Sequence, residues 1–82
     1  MPPALLRVGP YRFYMVSADG DERPHVHIER DNQRAKFFID RVEFFDNEGF
    51  RQAEVRRIQR LVTEHQEELL ERWYGYFGGP RR

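Results

Sequence analysis

The chain has 82 residues, no cysteine, and equal numbers of basic and acidic side chains, so its formal net charge is zero. This length suffices for one domain, residues 1–82, and zero net charge argues against a protein that holds nucleic acid by overall charge, unless basic side chains are segregated locally. Without cysteine there are no disulfides or thiolate metal sites, which favours a cytoplasmic location, and no apolar run approaches the ~20 residues that span a bilayer.

The first half of the chain is predicted to form antiparallel β-strands. Residues 5–16 contain two β-rich runs on either side of a turn at Gly9-Pro10. Residues 17–24 are polar and rich in turn-forming residues, which predicts a loop. Residues 25–40 alternate polar and apolar side chains on either side of Asp31-Asn32, as the two half-buried strands of a hairpin do.

The register of this second hairpin can be predicted. If Asp31 and Asn32 are the central turn residues, polar side chains lie opposite polar ones and apolar opposite apolar at every position. A shift by one residue would destroy that agreement. The predicted cross-strand pairs are Glu29 with Arg34, Ile28 with Ala35, His27 with Lys36, and Val26 with Phe37.

The second half of the chain is predicted to be largely helical. A short strand at residues 42–45 is closed by the polar residues 46–49, and from residue 51 the apolar period changes from two to about three and a half. The sequence from Thr63 to Gln66 has the form of a capping box, so the helical segment is predicted to break near Thr63. The fold class is therefore α+β, with an antiparallel sheet of four to five hairpin strands packed on a C-terminal amphipathic helical segment.

The alternation assigns each strand side chain to one face of the sheet. The face that the helical segment covers carries Val26, Ile28, Ala35, Phe37 and Ile39. The opposite face, called here the polar sheet face, carries His25, His27, Glu29, Arg34, Lys36 and Phe38. If both hairpins belong to one sheet, the first hairpin adds Arg7, Arg12 and Tyr14 to it.

His25 and His27 are the foremost candidates for chemistry. Their i, i+2 spacing places both imidazoles on one side of a strand, where they could bind a metal or act as a general acid and a general base. Lys36 opposite His27 disfavours a bound cation, so neither a metal nor a cofactor is predicted. The plainer alternative is two exposed histidines, or histidines that hydrogen-bond the acidic loop residues Asp19, Asp21 and Glu22.

The polar sheet face favours two different functions. In the first, it binds RNA, with cations holding phosphates and rings stacking on bases; the binding residues are then Arg7, Arg12, Tyr14, Glu29, Arg34 and Phe38. A metal-independent ribonuclease would use His25 and His27 as proton donor and acceptor, and Arg34 and Lys36 to stabilise the phosphorane charge. In the second, a non-enzymatic module docks a partner protein by its sheet face or its helix.

Two further features lie on the helical segment. Arg56, Arg57 and Arg60 could form an anion patch, although a solvated face paired with Glu54 and Glu64 is the preferred interpretation. His65 lies on the apolar stripe of the helix and is predicted to be a half-buried histidine with a satisfied ring.

Four segments together resemble one family of small bacterial proteins. They read LRVGPYRF at residues 6–13, GDERPHVHIE at 20–29, AKFFID at 35–40 and NEGF at 47–50, before a helix that ends in Trp73. The family is catalogued as a domain of unknown function, number forty-one sixty, and it supplies no established catalytic residues. The resemblance implies a gene often placed beside that of a second small protein, as in toxin–antitoxin pairs. RNA, a cognate small protein and a second copy of the chain are therefore the expected partners.

Overall fold

In the residues that the structure describes, five strands precede two helices. The structure is a computed structural model in which residues 4–16 and 21–79 are described. The elements are β1 (Ala4–Val8), β2 (Tyr11–Tyr14), β3 (His25–Arg30), β4 (Gln33–Phe38), β5 (Glu43–Glu48), α1 (Gln52–Glu64) and α2 (Gln66–Phe77). Neighbouring strands pair antiparallel in the order β1-β2-β3-β4-β5, so β1 and β5 are the edges of the sheet. The predicted α+β class is confirmed.

Both predicted hairpins form. The turn between β1 and β2 has Gly9 at φ 58°, a left-handed conformation that glycine adopts without strain. The turn between β3 and β4 has Asp31 at φ 55°, which a short polar side chain tolerates. All four predicted cross-strand pairs of this hairpin are present, so its register is confirmed. Of the loop predicted at residues 17–24, residues 17–20, and with them Asp19, lie outside the described part of the chain.

The two hairpins join through β2 and β3 into one sheet. Arg12 lies opposite Glu29 and Tyr14 lies opposite His27, while Phe13 lies opposite Ile28 on the other face. Polar pairs therefore continue across the junction, as the face assignment requires. Both hairpins belong to one sheet, so Arg12 and Tyr14 lie on the polar sheet face, as predicted.

The prediction for β5 was wrong in its boundaries. The strand runs from Glu43 to Glu48, so the acidic segment expected to close it belongs to the strand. Lys36 pairs with Asp46 but Phe37 pairs with Phe44, which leaves Phe45 as the extra residue of a β-bulge. A bulge breaks the period of two, and turn-forming composition alone could not distinguish an acidic edge strand from a loop.

The core lies between the apolar sheet face and the two helices. The predicted sheet residues of this face are all buried, and so are the predicted stripe residues Val55, Ile58, Val62, Leu69 and Trp73. Burial of this apolar surface supplies the main stabilisation of the fold. Neither helix in the described residues is long and apolar enough to cross a membrane.

The helical segment breaks at His65, close to the predicted position. The predicted capping box is absent, because the Thr63 hydroxyl donates to the Gln59 carbonyl oxygen at 2.9 Å and α2 has no side-chain cap. The half-buried His65 places its Nδ1 2.9 Å from the Leu61 carbonyl oxygen. The side-chain amide of Gln66 donates to the Ile39 carbonyl oxygen at 2.9 Å. This hydrogen bond holds the start of α2 against the residue that follows β4.

Candidate functional site

The two histidines of β3 lie side by side on the polar sheet face. The ring centroids of His25 and His27 are 5.3 Å apart, with the ring planes nearly perpendicular. His27 also stacks on Tyr14 of β2, with centroids 5.1 Å apart and an interplanar angle of 23°. The predicted placement of both imidazoles on one side of the strand is confirmed.

His25 is enclosed, which the expectation of exposed strand histidines did not anticipate. Its side chain is 0% exposed. The Trp73 ring at the far end of α2 lies 5.2 Å from it, and the Phe38 ring lies 6.4 Å from it. Trp73 belongs to the buried core together with Leu69, and its ring also reaches the start of β3. Burial of His25 follows from that second contact.

The acidic loop contacts this buried histidine. His25 Nδ1 lies 2.9 Å from the Arg23 carbonyl oxygen and 3.8 Å from Glu22 Oε1. The same Glu22 oxygen accepts a hydrogen bond from Lys36 Nζ at 3.2 Å. The plainer alternative expected histidines that hydrogen-bond the loop carboxylates. Glu22 does lie near His25, but the hydrogen-bonding distance is to the Arg23 carbonyl oxygen.

The cations at the centre of the polar sheet face are already engaged. Arg12 donates to Glu29 Oε1 at 2.7 Å, and its guanidinium lies 4.4 Å from the Tyr14 ring centroid. Tyr14 itself is only 6% exposed. Lys36 Nζ, besides its bond to Glu22, lies 4.5 Å from the Phe45 ring centroid. The contact with Arg12 therefore covers the Tyr14 ring, which was predicted to be open.

Arg23 closes the same face at the other end of β4. Its guanidinium lies 3.9 Å from the Phe38 ring centroid and donates to both carboxylate oxygens of Asp40, at 2.9 and 3.0 Å. It also donates to Glu43 Oε1 at 2.8 Å, and this hydrogen bond lowers the pKa of the Glu43 carboxyl. Phe38 is thus covered by a cation that carboxylates hold in place.

Only the margin of the polar sheet face leaves predicted residues exposed. Arg7 is exposed on β1, opposite Arg12, and Arg34 is exposed with Nε 3.8 Å from Glu48 Oε1. A surface hollow of about 150 Å³ lies between β3, β4 and β5, lined by His27, Arg34, Ala35, Lys36, Asp46 and Glu48. Within residues 4–16 and 21–79, no group of three or more His, Asp or Glu side chains could hold a metal ion.

One protein family matches the chain. Its description is "Domain of unknown function (DUF4160)", and the match covers residues 11–74, from the start of β2 to near the end of α2. The chain belongs to this family. No curated protein and no solved structure matches it.

The sequence interpretation missed the two aromatic residues of β5 in this DUF4160 chain. Phe44 and Phe45 are 46% and 54% exposed. They lie on opposite faces of the sheet, with the Phe44 ring 5.6 Å from Phe37 and the Phe45 ring 5.2 Å from Phe38. The signal was present in the sequence, because two adjacent large rings in a strand cannot both point into one core.

A further contact, between β3 and α1, also escaped prediction. Arg30 donates two hydrogen bonds to Glu54, at 2.8 and 2.7 Å, and the Tyr11 hydroxyl donates a third at 2.6 Å. The bonds from Arg30, and then that from Tyr11, lower the pKa of the Glu54 carboxyl. Glu54 was expected to pair with arginines of its own helix. Its hydrogen bonds come from Arg30 and Tyr11 instead, while Arg57 of that helix makes a smaller electrostatic contribution to the lowered pKa.

Proposed function

We propose that this DUF4160 chain is a non-enzymatic interaction module that docks a partner protein along β5. The observation that carries the proposal is the pair Phe44 and Phe45, both about half exposed and adjacent on an edge strand. The two rings lie on opposite faces of β5, and the side chains of an added strand, which alternate between the two faces, can contact both of them. An edge strand also offers its outer backbone N–H and C=O groups to an added strand. No strand of the described chain pairs with that edge.

The centre of the polar sheet face supports the RNA-directed hypothesis less well. Stacking on bases needs open rings, whereas Arg12 covers Tyr14 and Arg23 covers Phe38. A proton-exchanging pair needs both imidazoles within reach of the RNA, whereas His25 is enclosed. Of the three predicted catalytic residues, His27 and Lys36 are the two that line the hollow between β3, β4 and β5, where RNA could be cleaved.

That hollow carries a second candidate function, the cleavage of RNA by a metal-independent mechanism. Incubation of the purified chain with labelled RNA, with and without a chelator, tests it. Docking along β5 predicts no cleavage above that of the His27→Ala variant. Cleavage that His27→Ala abolishes, and that the chelator leaves unchanged, would establish the enzyme instead.

The charges of β5 indicate the chemistry of the docked segment. Glu43, Asp46 and Glu48 accompany the two rings. A second copy pairing antiparallel about the centre of β5 would set Glu43 against Glu48, and like charges directly opposite each other destabilise a strand pair. A partner strand that alternates apolar and basic side chains would meet both the rings and the carboxylates. The cognate small protein implied by the family resemblance is the expected source of such a strand.

A peptide selection tests this proposal and does not require the natural partner. A displayed library of random peptides is selected on the wild-type chain and counter-screened on the double variant Phe44→Ser with Phe45→Ser. Selected peptides should combine apolar and basic residues and should lose at least about tenfold in affinity for the double variant, as removal of central aromatic anchors does.

Tyr76→Ser is the matched control for that selection. Tyr76 is 50% exposed on α2, so the control removes an equally exposed ring away from the sheet edge. Circular dichroism should show that both variants keep the wild-type fold. Selected peptides that bind the β5 double variant as well as the wild type, or that are lost with Tyr76→Ser, would contradict docking along β5.

A further inference from the structure

The outer side of α1 carries a group of exposed arginines. Arg56, Arg57 and Arg60 are exposed, and Arg51, also exposed, is the N-cap residue of the helix. At about 100° per residue these three helical arginines lie on the side opposite the buried residues of α1, which are Val55, Ile58 and Val62. The arginines therefore project to solvent as one surface, called here the α1 arginine surface.

None of these arginines forms an ion pair with a described residue, in contrast to the cations at the centre of the polar sheet face. The ion pairs within residues 4–16 and 21–79 engage other cations, among them Arg12, Arg23, Arg30 and Lys36. The carboxylate expected to neutralise the helix, Glu54, is bound by Arg30 instead. Arg57 acts electrostatically on Glu54 and Tyr11, so the positive charge of Arg56 and Arg60 is the part left for an external anion.

Two hollows open on this surface, and most of the residues that line them have charged or polar side chains. One of about 450 Å³ is lined by Arg56, Gln59, Arg60, Thr63 and Glu64, and one of about 240 Å³ by Arg51, Ala53, Glu54 and Arg57. Neither contains an aromatic or large aliphatic side chain, which protein interfaces use as anchors. The apolar side of α1 is buried in the core, so the helix has no apolar face to insert into a lipid surface.

We infer that the α1 arginine surface binds the phosphate backbone of nucleic acid. Arg56 and Arg60 are one turn apart, about 6 Å along the helix axis at a rise of 1.5 Å per residue, while a nucleic-acid strand presents a phosphate about every 3.4 Å. Two guanidinium groups at that separation can thus contact phosphates about two positions apart on one strand, each through paired hydrogen bonds. Without rings to stack on bases, the contact is independent of base sequence. This inference is separate from docking along β5 and moves the expected nucleic-acid contact from the sheet to the helix.

Fluorescence anisotropy with labelled single-stranded RNA, and DNA of the same length, tests the inference. The double variant Arg56→Gln with Arg60→Gln removes two cations and keeps good helix-forming residues. At low salt it should bind about tenfold or more weakly than the wild type. The slope of log K against log salt should become shallower by about 1.4, because the variant removes two phosphate contacts and each contributes about 0.7 on a single strand.

The matched control is Arg7→Gln with Arg34→Gln, which removes the same charge from the exposed part of the polar sheet face. It should leave affinity within about threefold of the wild type. An equal loss in both double variants, or no binding by the wild type at about 50 mM salt, would overturn the inference. Binding of the selected β5 peptides is measured in parallel, and Arg56→Gln with Arg60→Gln should retain it, so a failure here is distinguishable from a failure of docking.

Discussion

The centre of the polar sheet face and the edge of the sheet at β5 use aromatic rings in different ways. At the centre, Arg12 covers Tyr14, while Trp73 encloses His25. At the edge, Phe44 and Phe45 touch the sheet with one side of each ring and leave about half of each residue exposed. The rings at the centre therefore stabilise the fold, whereas the rings at the edge can contact a partner protein. Variants in the two regions should differ accordingly.

The largest effect is expected from Trp73→Ala. The ring is buried in the core and against His25, so its removal should lower the free energy of unfolding by about 3–5 kcal/mol. Tyr76→Ala, three residues further along α2 and half exposed, should stay within about 0.5 kcal/mol of the wild type. Denaturant unfolding of both variants measures the difference. A decrease in the free energy of unfolding below about 1 kcal/mol for Trp73→Ala would mean that the ring does not stabilise the core and the packing around His25.

A smaller effect should separate the two histidines. His25→Ala empties a fully buried position and should cost about 2–4 kcal/mol. His27→Ala, at a half-buried position beside the hollow, should cost about 1 kcal/mol or less. Thermal and denaturant unfolding can be compared on the same preparations. Equal stability of the two variants would contradict a structural role for His25 in the closed centre.

The smallest effect should appear in acid. Because the pKa of Glu54 is lowered in the folded chain, chiefly by the hydrogen bonds from Arg30, this carboxylate contributes stability above its ordinary pKa of 4.5. That contribution is lost as the pH falls through the lower folded pKa. Glu54→Gln should therefore be less stable than the wild type at neutral pH, with the difference shrinking below about pH 4.5.

Unfolding free energies measured across that pH range test the acid prediction. The double variant Phe44→Ser with Phe45→Ser is the control, because it leaves the contact between Arg30 and Glu54 in place. Its acid dependence should follow that of the wild type. A Glu54→Gln variant whose deficit grows on acidification would reverse the expected sign and exclude this carboxylate as an acid-sensitive contact.

The local pattern of the sequence was enough to predict an antiparallel sheet and the register between β3 and β4. Alternation between β3 and β4 fixed four pairs because a one-residue slip would have exchanged the two faces. The same alternation assigned Tyr14, His25 and His27 to one face, and their ring contacts bear this out. These features depend on neighbours in one hairpin or in adjoining strands.

Contacts between distant segments could not be predicted in the same way. Trp73 reaches His25 across 48 positions of sequence, a consequence of where α2 ends relative to β3. Glu54 is drawn to Arg30 rather than to the arginines one turn away, because β3 ends beside α1. The bulge at Phe45 depends on how β4 and β5 pair and not on the composition of β5 alone. The periodicity of a sequence predicts one helix or strand at a time and gives no information on contacts between distant helices and strands.

Amide NMR spectra recorded while a selected peptide is added to the wild-type chain test docking along β5 most directly. The largest shifts should fall on Glu43–Glu48, because an added strand hydrogen-bonds to the backbone of that edge. Amides of the opposite edge, Ala4–Val8, and of α1 should change little. Largest shifts at either of those elements, with β5 unchanged, would contradict docking along β5.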